Sequence, residues 1–361
     1  MQIQSLGLQH FRNIESASLN LNPQLNVVLG KNGSGKTSVL EAIYYLGFGR
    51  SFRSNRASKV ISYQQDSFVV FAQLEEHKIG LQKFKGGDTA LRINKETVRS
   101  QAVLASLLPI QILHPEGYGL VDGSPKHRRA YLDWGVFHVE HQFHGAWQNY
   151  KRILKQRNAL LKQTRQYQDL VYWDKQLVEL ALVVSKQRLE YVTSIKSTLF
   201  DLVEEFLPEY KFELAFYQGW DEQSDLADLL KSSFERDRML GYTQYGPHKA
   251  DLKFKFNGIN AVDLISRGQL KLFVCALILA QGQHAQQTSG KKTVYLIDDF
   301  AAELDMSKRQ LLATCLQRHG SQVFVSAIEE QMLDGFDLEG CTMFHVEHGV
   351  ISDYKTRVKH G

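Results

Sequence analysis

The sequence feature that most constrains the fold is the stretch Gly-Lys-Asn-Gly-Ser-Gly-Lys-Thr at residues 30–37. It matches the pattern G-x-x-x-x-G-K-[ST], whose fixed positions are Gly30, Gly35, Lys36 and Thr37. The mostly apolar residues 25–29 before it predict a buried strand, and residues 38–46 after it are apolar at helical spacing. A strand, a glycine loop and a helix in this order form the context that a phosphate-binding loop requires.

These residues predict a nucleotide site with a magnesium ion. Glycines let successive backbone N–H groups point into one concavity, and the helix N-terminus adds a partial positive charge. We expect Lys36 to reach the β- and γ-phosphates and the Thr37 hydroxyl to ligate Mg²⁺. The predicted phosphate-binding residues are Gly30, Lys31, Asn32, Gly33, Ser34, Gly35, Lys36 and Thr37.

Composition limits the class of protein. A chain of 361 residues is long for one core, so we expect two domains or one domain with an insertion. The net charge of +4 permits nucleic-acid binding without requiring it. Three distant cysteines without a C-x-x-C pair argue against a disulfide or zinc framework. With no signal-peptide pattern and no apolar run near the ~20 residues of a membrane span, we expect a cytoplasmic protein without a membrane partner.

The order of predicted elements divides the chain into three parts. Strands are expected at 3–8, 16–21 and 25–29, and three alternating segments between residues 68 and 93 predict a small antiparallel meander. Residues 128–207 contain no proline and carry apolar stripes at helical spacing, which predicts antiparallel helices that form an arm. We therefore expect an N-terminal part at 1–127 with the phosphate loop, a helical arm at 128–240 and a C-terminal part at 241–361.

The first arm helix has a run of basic residues without an Asp or Glu between its two ends. The run allows two interpretations, a solvated helix face or a track for nucleic-acid phosphates. The residues are Lys151, Arg152, Lys155, Arg157, Lys162 and Arg165.

Two further motifs follow in the C-terminal part. Ser266-Arg267-Gly268-Gln269 precedes an apolar helix, so a hydroxyl, a glycine and a helix N-terminus form a second anion site. An apolar strand at 293–297 ends in Asp298 and Asp299. A carboxylate at this end of a strand lies beside the phosphate loop, where Asp298 can hold Mg²⁺ through water. Asp299 can orient or deprotonate an attacking water.

Together these motifs resemble the ATP-binding-cassette (ABC) ATPase head, and the inserted arm narrows the resemblance to its SMC-like and Rad50-like branch. The amino-acid sequence is similar to that of the bacterial RecF family from end to end. The matching segments are FRNIE at 11–15, GKNGSGKTSVLEAIYYLGFGRSFR at 30–53, GSPKHRRAYLDW at 123–134, GPHKADL at 246–252, SRGQLKL at 266–272 and LIDDFAAELD at 296–305. The fold class expected from this resemblance is α/β: a P-loop head with a mixed sheet, helices and a small antiparallel meander, plus an inserted α-helical arm.

The resemblance implies a weak, DNA-stimulated ATPase that uses ATP and Mg²⁺ and dimerises head to head when ATP binds. The phosphate loop of one copy and residues Ser266, Arg267, Gly268 and Gln269 of the other would hold the same γ-phosphate. Asp305 matches the D-loop aspartate, Arg12 a basic residue near the nucleotide, and Gln111 the Q-loop glutamine. The implied partners are single- and double-stranded DNA at gaps and junctions, and the mediators RecR and RecO, which help to load RecA.

The sequence also departs from the wider cassette pattern. Asp299 replaces the usual glutamate, and Ile265 replaces the common leucine. The switch histidine has no clear counterpart, and Ser326-Ala327-Ile328 occupies its place after the strand. A shorter carboxylate withdraws from the water, so we expect slow hydrolysis. The alternative functions are a cassette ATPase subunit of a transporter or of an SMC-like chromosome-organising machine, and a DNA-binding architectural protein that uses ATP only structurally.

Overall fold

The structure is a computed structural model that describes residues 2–54, 56–114, 117–300, 304–318 and 320–354. The chain divides into two compact units, one formed by Met1–Gly117 with Leu277–Gly361 and the other by Tyr118–Ala276. None of the helices in the described ranges has the length and apolar character needed to cross a membrane.

The described residues form strands and helices with the following bounds. The strands are β1 (Ile3–Phe11), β2 (Ile14–Asn20), β3 (Leu25–Leu29), β4 (Ser67–Leu74), β5 (Lys78–Phe84), β6 (Thr89–Ile93), β7 (Glu96–Val98), β8 (Ile110–Leu113), β9 (Phe212–Tyr217), β10 (Asp251–Phe256), β11 (Ile259–Asn260), β12 (Val294–Ile297), β13 (Gln322–Ala327), β14 (Thr342–Glu347) and β15 (Val350–Asp353). The helices are α1 (Lys36–Phe48), α2 (Gln101–Leu107), α3 (Pro125–Val139), α4 (Phe143–Leu161), α5 (Val171–Phe206), α6 (Leu226–Ser232), α7 (Phe234–Leu240), α8 (Ala261–Leu264), α9 (Arg267–Ser289) and α10 (Met306–Arg318).

The first unit contains a mixed sheet in the order β15-β14-β3-β13-β12-β8. Strands β14, β3, β13, β12 and β8 run parallel, and β15 pairs antiparallel with β14 at one edge. The three central strands β3, β13 and β12 are buried along their whole length, as expected for parallel strands covered on both faces. Their carboxyl ends therefore meet at one edge of the sheet.

The predicted meander is part of a larger antiparallel sheet in the same unit. Its order is β2-β1-β4-β5-β6-β7, so the first two strands of the chain pair with the meander. Helix α1 packs its apolar residues into a core shared with both sheets. Leu40 and Ile43 belong to the same buried cluster as Leu6, Phe68 and Phe324. Burial on several sides fixes this helix, which begins at the glycine loop.

The second unit combines helices α3 to α7 with a three-stranded antiparallel sheet in the order β11-β10-β9. The predicted apolar stripe of the long helix is confirmed, since Leu177, Val184, Tyr191, Ile195 and Leu199 of α5 are all buried. Helix α4 packs against α5. Strands β10 and β11 form a hairpin whose turn lies at residues 257–258.

Two element boundaries have simple causes or positions. Helix α2 ends before Pro109, which cannot continue a helix, and β8 follows it. The short helices α6 and α7 meet at Ser233. The compact units differ in their bounds from the parts predicted at 128 and 240, because β9 to β11 pair with one another in the second unit and α9 runs from one unit into the other. The functional division into head and arm stays a prediction.

The structure corrects part of the predicted basic face. Lys151, Arg152 and Lys155 are exposed on α4, as predicted, whereas the exposed Lys162 and Arg165 follow its last residue, Leu161. Arg157, by contrast, is fully buried. Its Nε donates to Asp174 Oδ1 at 2.7 Å and its Nη1 donates to Asp237 Oδ2 at 2.7 Å and to Thr243 Oγ1 at 2.8 Å. Arg157 thus joins α4, α5 and α7 and is not available to nucleic acid.

This buried ion cluster gives a stability prediction. Arg157→Ala would leave the Asp174 and Asp237 carboxylates buried without their cation, which costs about 3–5 kcal/mol. The exposed Arg152→Ala variant should change the free energy of unfolding by less than about 0.5 kcal/mol. Urea unfolding followed by circular dichroism measures both. Equal losses for the two variants would show that Arg157 is not a buried structural residue.

Candidate functional site

The candidate site lies at the carboxyl edge of the parallel strands in the first unit. The loop after β3 begins at Gly30, Asp298 follows β12, and Ser326 lies near the end of β13. The register aligns these positions, because Leu29 pairs with Ala327 and Ile297 pairs with Val325. The Gly30 N–H also donates to the Ala327 carbonyl at 3.3 Å. The sheet therefore brings the predicted phosphate loop and the predicted metal ligand together.

The glycine loop has the backbone that its sequence predicts. Gly30, Gly33 and Gly35 have positive φ angles of 153°, 78° and 124°. A Cβ on Gly30 would lie 2.4 Å from the Val346 carbonyl oxygen, so only glycine fits there. Helix α1 begins directly after the loop, at Lys36. Its free N–H groups and dipole favour an anion at this point.

Lys36 lies inside the loop. Its Nζ donates to the carbonyls of Gly30 at 2.7 Å and Lys31 at 3.2 Å, and only 4% of the residue is exposed. Burial lowers the pKa of the Lys36 ammonium, and the charges of Asp299 and Asp298 act against this shift. A phosphate group beside Nζ would likewise favour the charged form.

Thr37 and Asp298 form the predicted metal-ligand pair. The Thr37 hydroxyl donates to Asp298 Oδ1 at 3.0 Å, and the Ser326 hydroxyl donates to the same oxygen at 2.8 Å. Burial raises the pKa of the Asp298 carboxyl, while the bonds from Ser326 and Thr37 lower it. Sequence reasoning treated Ser326 only as the residue in the place of the switch histidine and missed this contact.

The donor set fits a magnesium ion. Within the described ranges, no group of three or more His, Cys, Asp or Glu side chains is arranged to hold a metal. Mg²⁺ does not need such a cage, because it usually binds one or two protein oxygens and takes its other ligands from phosphates and water. The Thr37 hydroxyl and the Asp298 carboxylate, 3.0 Å apart beside the phosphate loop, are ligands of this kind.

Asp299 is held in an uncommon conformation next to the metal ligand. Its φ angle is 51°, in the left-handed region, and its backbone N–H donates to Ser326 Oγ at 2.9 Å. Ser326 is fully buried and therefore fixes both acidic residues at once. Asp299, unlike Asp298, lines the cavity in front of the loop.

That cavity has a volume of about 510 Å³, in the range of small-molecule sites. Its lining carries four basic side chains and one acidic one. The cavity therefore fits a nucleotide with a chain of phosphates. It is lined by Arg12, Asn13, Asn32, Gly33, Gly35, Lys36, Thr37, Ser38, Arg53, Lys59, Ile61 and Asp299.

Arg12 reaches the cavity but is already paired. Its Nε and Nη2 donate to the two carboxylate oxygens of Glu41 at 2.8 Å and 2.6 Å. The neighbouring Asn13, to which sequence reasoning gave no role, donates to the Ser34 carbonyl at 2.9 Å and accepts a bond from Ser38 Oγ at 3.0 Å. Asn13 thus fixes the glycine loop from the turn after β1, and Arg12 ties the same turn to α1. Arg53 and Lys59 were also missed, although both belong to a basic stretch visible in the sequence.

The Ser266–Gln269 element lies in the second unit and forms a capping box at the start of α9. The Gln269 N–H donates to Ser266 Oγ at 3.3 Å, and the Ser266 N–H donates to Gln269 Oε1 at 2.9 Å. Gln269 Nε2 donates to Glu209 Oε1 at 2.8 Å and to the Tyr210 hydroxyl at 3.2 Å. Ser266 and Arg267 are exposed and Gly268 is half-buried, so the helix start is accessible. The supporting contacts of Glu209 and Tyr210 were missed from sequence.

Two predicted site residues lie apart from the cavity lining. Gln111 is buried in β8, where its Nε2 donates to Gln281 Oε1 at 2.9 Å. Asp305 precedes α10 and accepts bonds from the Lys308 N–H at 3.0 Å and the Ser307 hydroxyl at 2.8 Å. These bonds lower the pKa of Asp305 to about 2. Residues 301–303 of the same motif lie outside the described residues. The nucleotide-binding roles of Gln111 and Asp305 stay predictions.

Comparison with known proteins gives consistent matches over nearly the whole chain. The family model described as "RecF/RecN/SMC N terminal domain" matches residues 2–352. The DNA replication and repair protein RecF of Vibrio vulnificus strain CMCP6 is 48% identical over 356 residues, covering 97% of this chain and 99% of the relative. That of Salmonella typhi is 49% identical over 357 residues, covering 98% and 100%.

Solved structures agree with this assignment. The recombination mediator protein RecF-ATP in the RecFOR pathway superposes with a TM-score of 0.87 at 25% identity, covering 98% of both chains. The Smc head bound to the C-winged helix domain of ScpA shares the fold at 15% identity, with a TM-score of 0.60 over 99% of this chain and 98% of that one. The α/β fold is therefore that of the SMC and RecF ATPase heads. On the family model and on relatives at 48–49% identity over nearly the full length, this chain belongs to the RecF family of DNA replication and repair proteins.

Proposed function

We propose that this chain is an ATP-dependent DNA-binding protein of recombinational repair and a weak, DNA-stimulated ATPase. One observation carries the proposal: the hydrogen-bonded series Thr37, Asp298 and Ser326 stands beside the glycine loop, with Asp299 facing the same cavity. This set contains the phosphate-binding, metal-binding and water-orienting groups that ATP hydrolysis requires. The structure of the related RecF-ATP supports ATP as the nucleotide.

Different residues of the site bind the phosphates and the metal. The N–H groups of residues 30–37 and the Lys36 ammonium bind the phosphates, while Thr37 and Asp298 hold the metal. The magnesium ion, when bound, neutralises charge on the β- and γ-phosphate oxygens. Asp299 orients the attacking water and accepts its proton. Because Asp299 is one methylene shorter than the usual glutamate and Ser326 is turned towards Asp298, hydrolysis is slow.

The second half of the site comes from another copy of the chain. Ser266, Arg267, Gly268 and Gln269 present an accessible helix start, and the Ser266 hydroxyl can donate its proton to a phosphate oxygen while its own oxygen accepts from Gln269. Two helix N-termini and Lys36 would then converge on one γ-phosphate. Loss of that group on hydrolysis would weaken the dimer, as in other γ-phosphate switches.

DNA and protein partners complete the proposal. We expect the protein to bind gapped DNA and junctions of single- and double-stranded DNA in the cytoplasm, and to act with RecR and RecO in placing RecA. The names of the relatives, and the RecFOR pathway of the related RecF-ATP structure, support this role. Residues 1–127 and 241–361 would form the ATPase head, and residues 128–240 the arm. The exposed cations of α4 are one candidate contact for DNA phosphates.

Lys36→Arg tests the hydrolytic role of the loop. The planar guanidinium cannot reproduce a compact ammonium 2.7 Å from the Gly30 carbonyl. We expect nearly unchanged ATP affinity and a rate of phosphate release at least about 100-fold lower, the typical loss of one transition-state donor. Lys85→Arg, at an exposed lysine of the same unit outside the cavity lining, is the matched control and should hydrolyse normally. Normal phosphate release by Lys36→Arg would contradict the assignment.

Ser266→Arg tests the contribution of the second copy. A bulky cation at the start of α9 should block ATP-dependent dimerisation, while the monomer should bind ATP as the wild type does. Light scattering with and without ATP and Mg²⁺ measures the dimer, and a fluorescent nucleotide measures binding. Ser232→Arg, at an exposed serine of the same unit, is the control. If Ser266→Arg dimerises with ATP, residues 266–269 do not bind the γ-phosphate.

Glu209 offers a finer test of the same element. Glu209→Ala removes the acceptor that holds the Gln269 amide, and loss of a hydrogen bond to a charged group typically costs a factor of about 10 or more. We therefore expect ATP-dependent dimerisation to weaken about tenfold. Glu209→Gln keeps a side-chain oxygen and should stay near the wild type. Sedimentation at several protein concentrations measures both, and identical behaviour of Glu209→Ala and wild type would exclude a positioning role.

A further inference from the structure

A second cleft of the first unit lies where helix α1 ends. The helix stops at Phe48, and Gly49 takes a left-handed conformation with φ of 64° while its N–H donates to the Tyr45 carbonyl at 2.8 Å. A Cβ on Gly49 would lie 2.8 Å from the Gln101 side chain, whose Nε2 donates to the Leu46 carbonyl at 2.8 Å. This fixed helix end sets the position of the next residue, Arg50.

The cleft itself has a volume of about 610 Å³ and a cationic lining. Arg50 and Arg99 line it together with the Thr89 and Thr97 hydroxyls, and no acidic residue is among the described residues of the lining. Both arginines are exposed. Neither forms an ion pair with a residue that the structure describes.

The charge of the two arginines is not balanced by any described residue that lines the cleft. Arg50 lies beside the Tyr44 hydroxyl, whose pKa burial raises to about 12, so this partner is neutral at physiological pH. The acidic residues nearest in sequence to the lining, Asp88 and Glu96, are exposed and are not part of it. The lining therefore favours an anion.

We propose that this cleft binds phosphates of a nucleic-acid backbone, with Arg50 and Arg99 as the contacting residues. The proposal rests on the DNA-binding function proposed above and assigns a surface to it. Guanidinium groups match phosphate oxygens through paired N–H donors, and threonine hydroxyls add further donors. The Gln101 amide of the lining already donates to the Leu46 carbonyl, so we expect the contact to rest on charge and to be independent of sequence.

The cleft is distinct from the nucleotide cavity, although the same helix connects them. Helix α1 begins at Lys36 in the cavity and ends at Phe48 beside the cleft, a span of about 20 Å for 13 residues at 1.5 Å each. Changes of Arg50 and Arg99 should therefore leave ATP affinity unaltered. This separation allows ATP binding to serve as the control for correct folding.

The test is the salt dependence of DNA binding by the double variant Arg50→Ala/Arg99→Ala. Anisotropy of a labelled gapped duplex at several salt concentrations gives the slope of log affinity against log salt. Loss of two phosphate contacts should reduce that slope by about 2 and lower the affinity at least about tenfold. Arg50→Lys/Arg99→Lys should retain the slope because it keeps both charges. Lys196→Ala/Lys231→Ala, at two exposed cations of the second unit outside α4, is the matched charge control.

The outcomes separate this inference from the proposed function. If the cleft variant keeps the wild-type slope while the wild type binds DNA, the assignment of the cleft is wrong and DNA binds elsewhere. If the wild type shows no DNA binding in any nucleotide state, the proposed function fails as well. If millimolar inorganic phosphate binds the wild type but not the cleft variant, and DNA affinity is equal in both, the cleft is a small-anion site and the inference is overturned.

Discussion

The parallel pairing of β3, β13 and β12 is the constraint on which the site depends. Strand β3 ends at Leu29, whereas β12 begins only at Val294 and β13 at Gln322. The register nevertheless places Leu29, Ala327 and Ile297 at one edge of the sheet. Each strand then delivers one part of the chemistry: the glycine loop, Ser326 near the end of β13, and the acidic pair. Because all three strands are buried along their length, a shift of register would expose apolar side chains, so the fold itself specifies the distances between the functional groups.

The parts of this arrangement that could be predicted from sequence are those with local signals. The loop at 30–37, the strand before it and the strand ending at Asp298 follow from short patterns, and a general rule of parallel sheets brings them together. Contacts between distant residues carry no such signal, which is why the hydrogen bonds of Ser326 and Asn13 were missed. Arg157 shows how a local pattern misleads: it lies four residues from both Ile153 and Leu161, on the buried stripe of α4, but was assigned to the exposed face because of its charge.

The Ser266–Gln269 element would have two roles: it caps helix α9, and we propose that it binds a phosphate of a second copy. Ser266 and Gln269 satisfy each other's backbone N–H groups, which stabilises the start of α9 whether or not a ligand is present. The same bonds settle the orientation of the Gln269 amide, because a backbone N–H can only donate and the Glu209 carboxylate can only accept. The Ser266 hydroxyl is then left with its proton free to donate. A pre-organised donor of this kind loses less entropy when it binds, which favours association between two copies.

The electrostatics of the first unit explain why such a site would bind a nucleotide tightly but cleave it slowly. Burial acts against the charged forms of both Lys36 and Asp298, lowering the pKa of the first and raising that of the second. Phosphates beside Lys36 would favour its charged form, and a cation beside Asp298 would favour the carboxylate. The ligand would therefore interact most strongly with two groups that the protein already shields from water. Asp299, the proposed base, is less well placed, because its short side chain starts from a backbone tied to Ser326. Strong phosphate binding combined with a poorly extended base suits a protein whose bound state must persist, which is the requirement for a switch that remains at one DNA site while partners assemble.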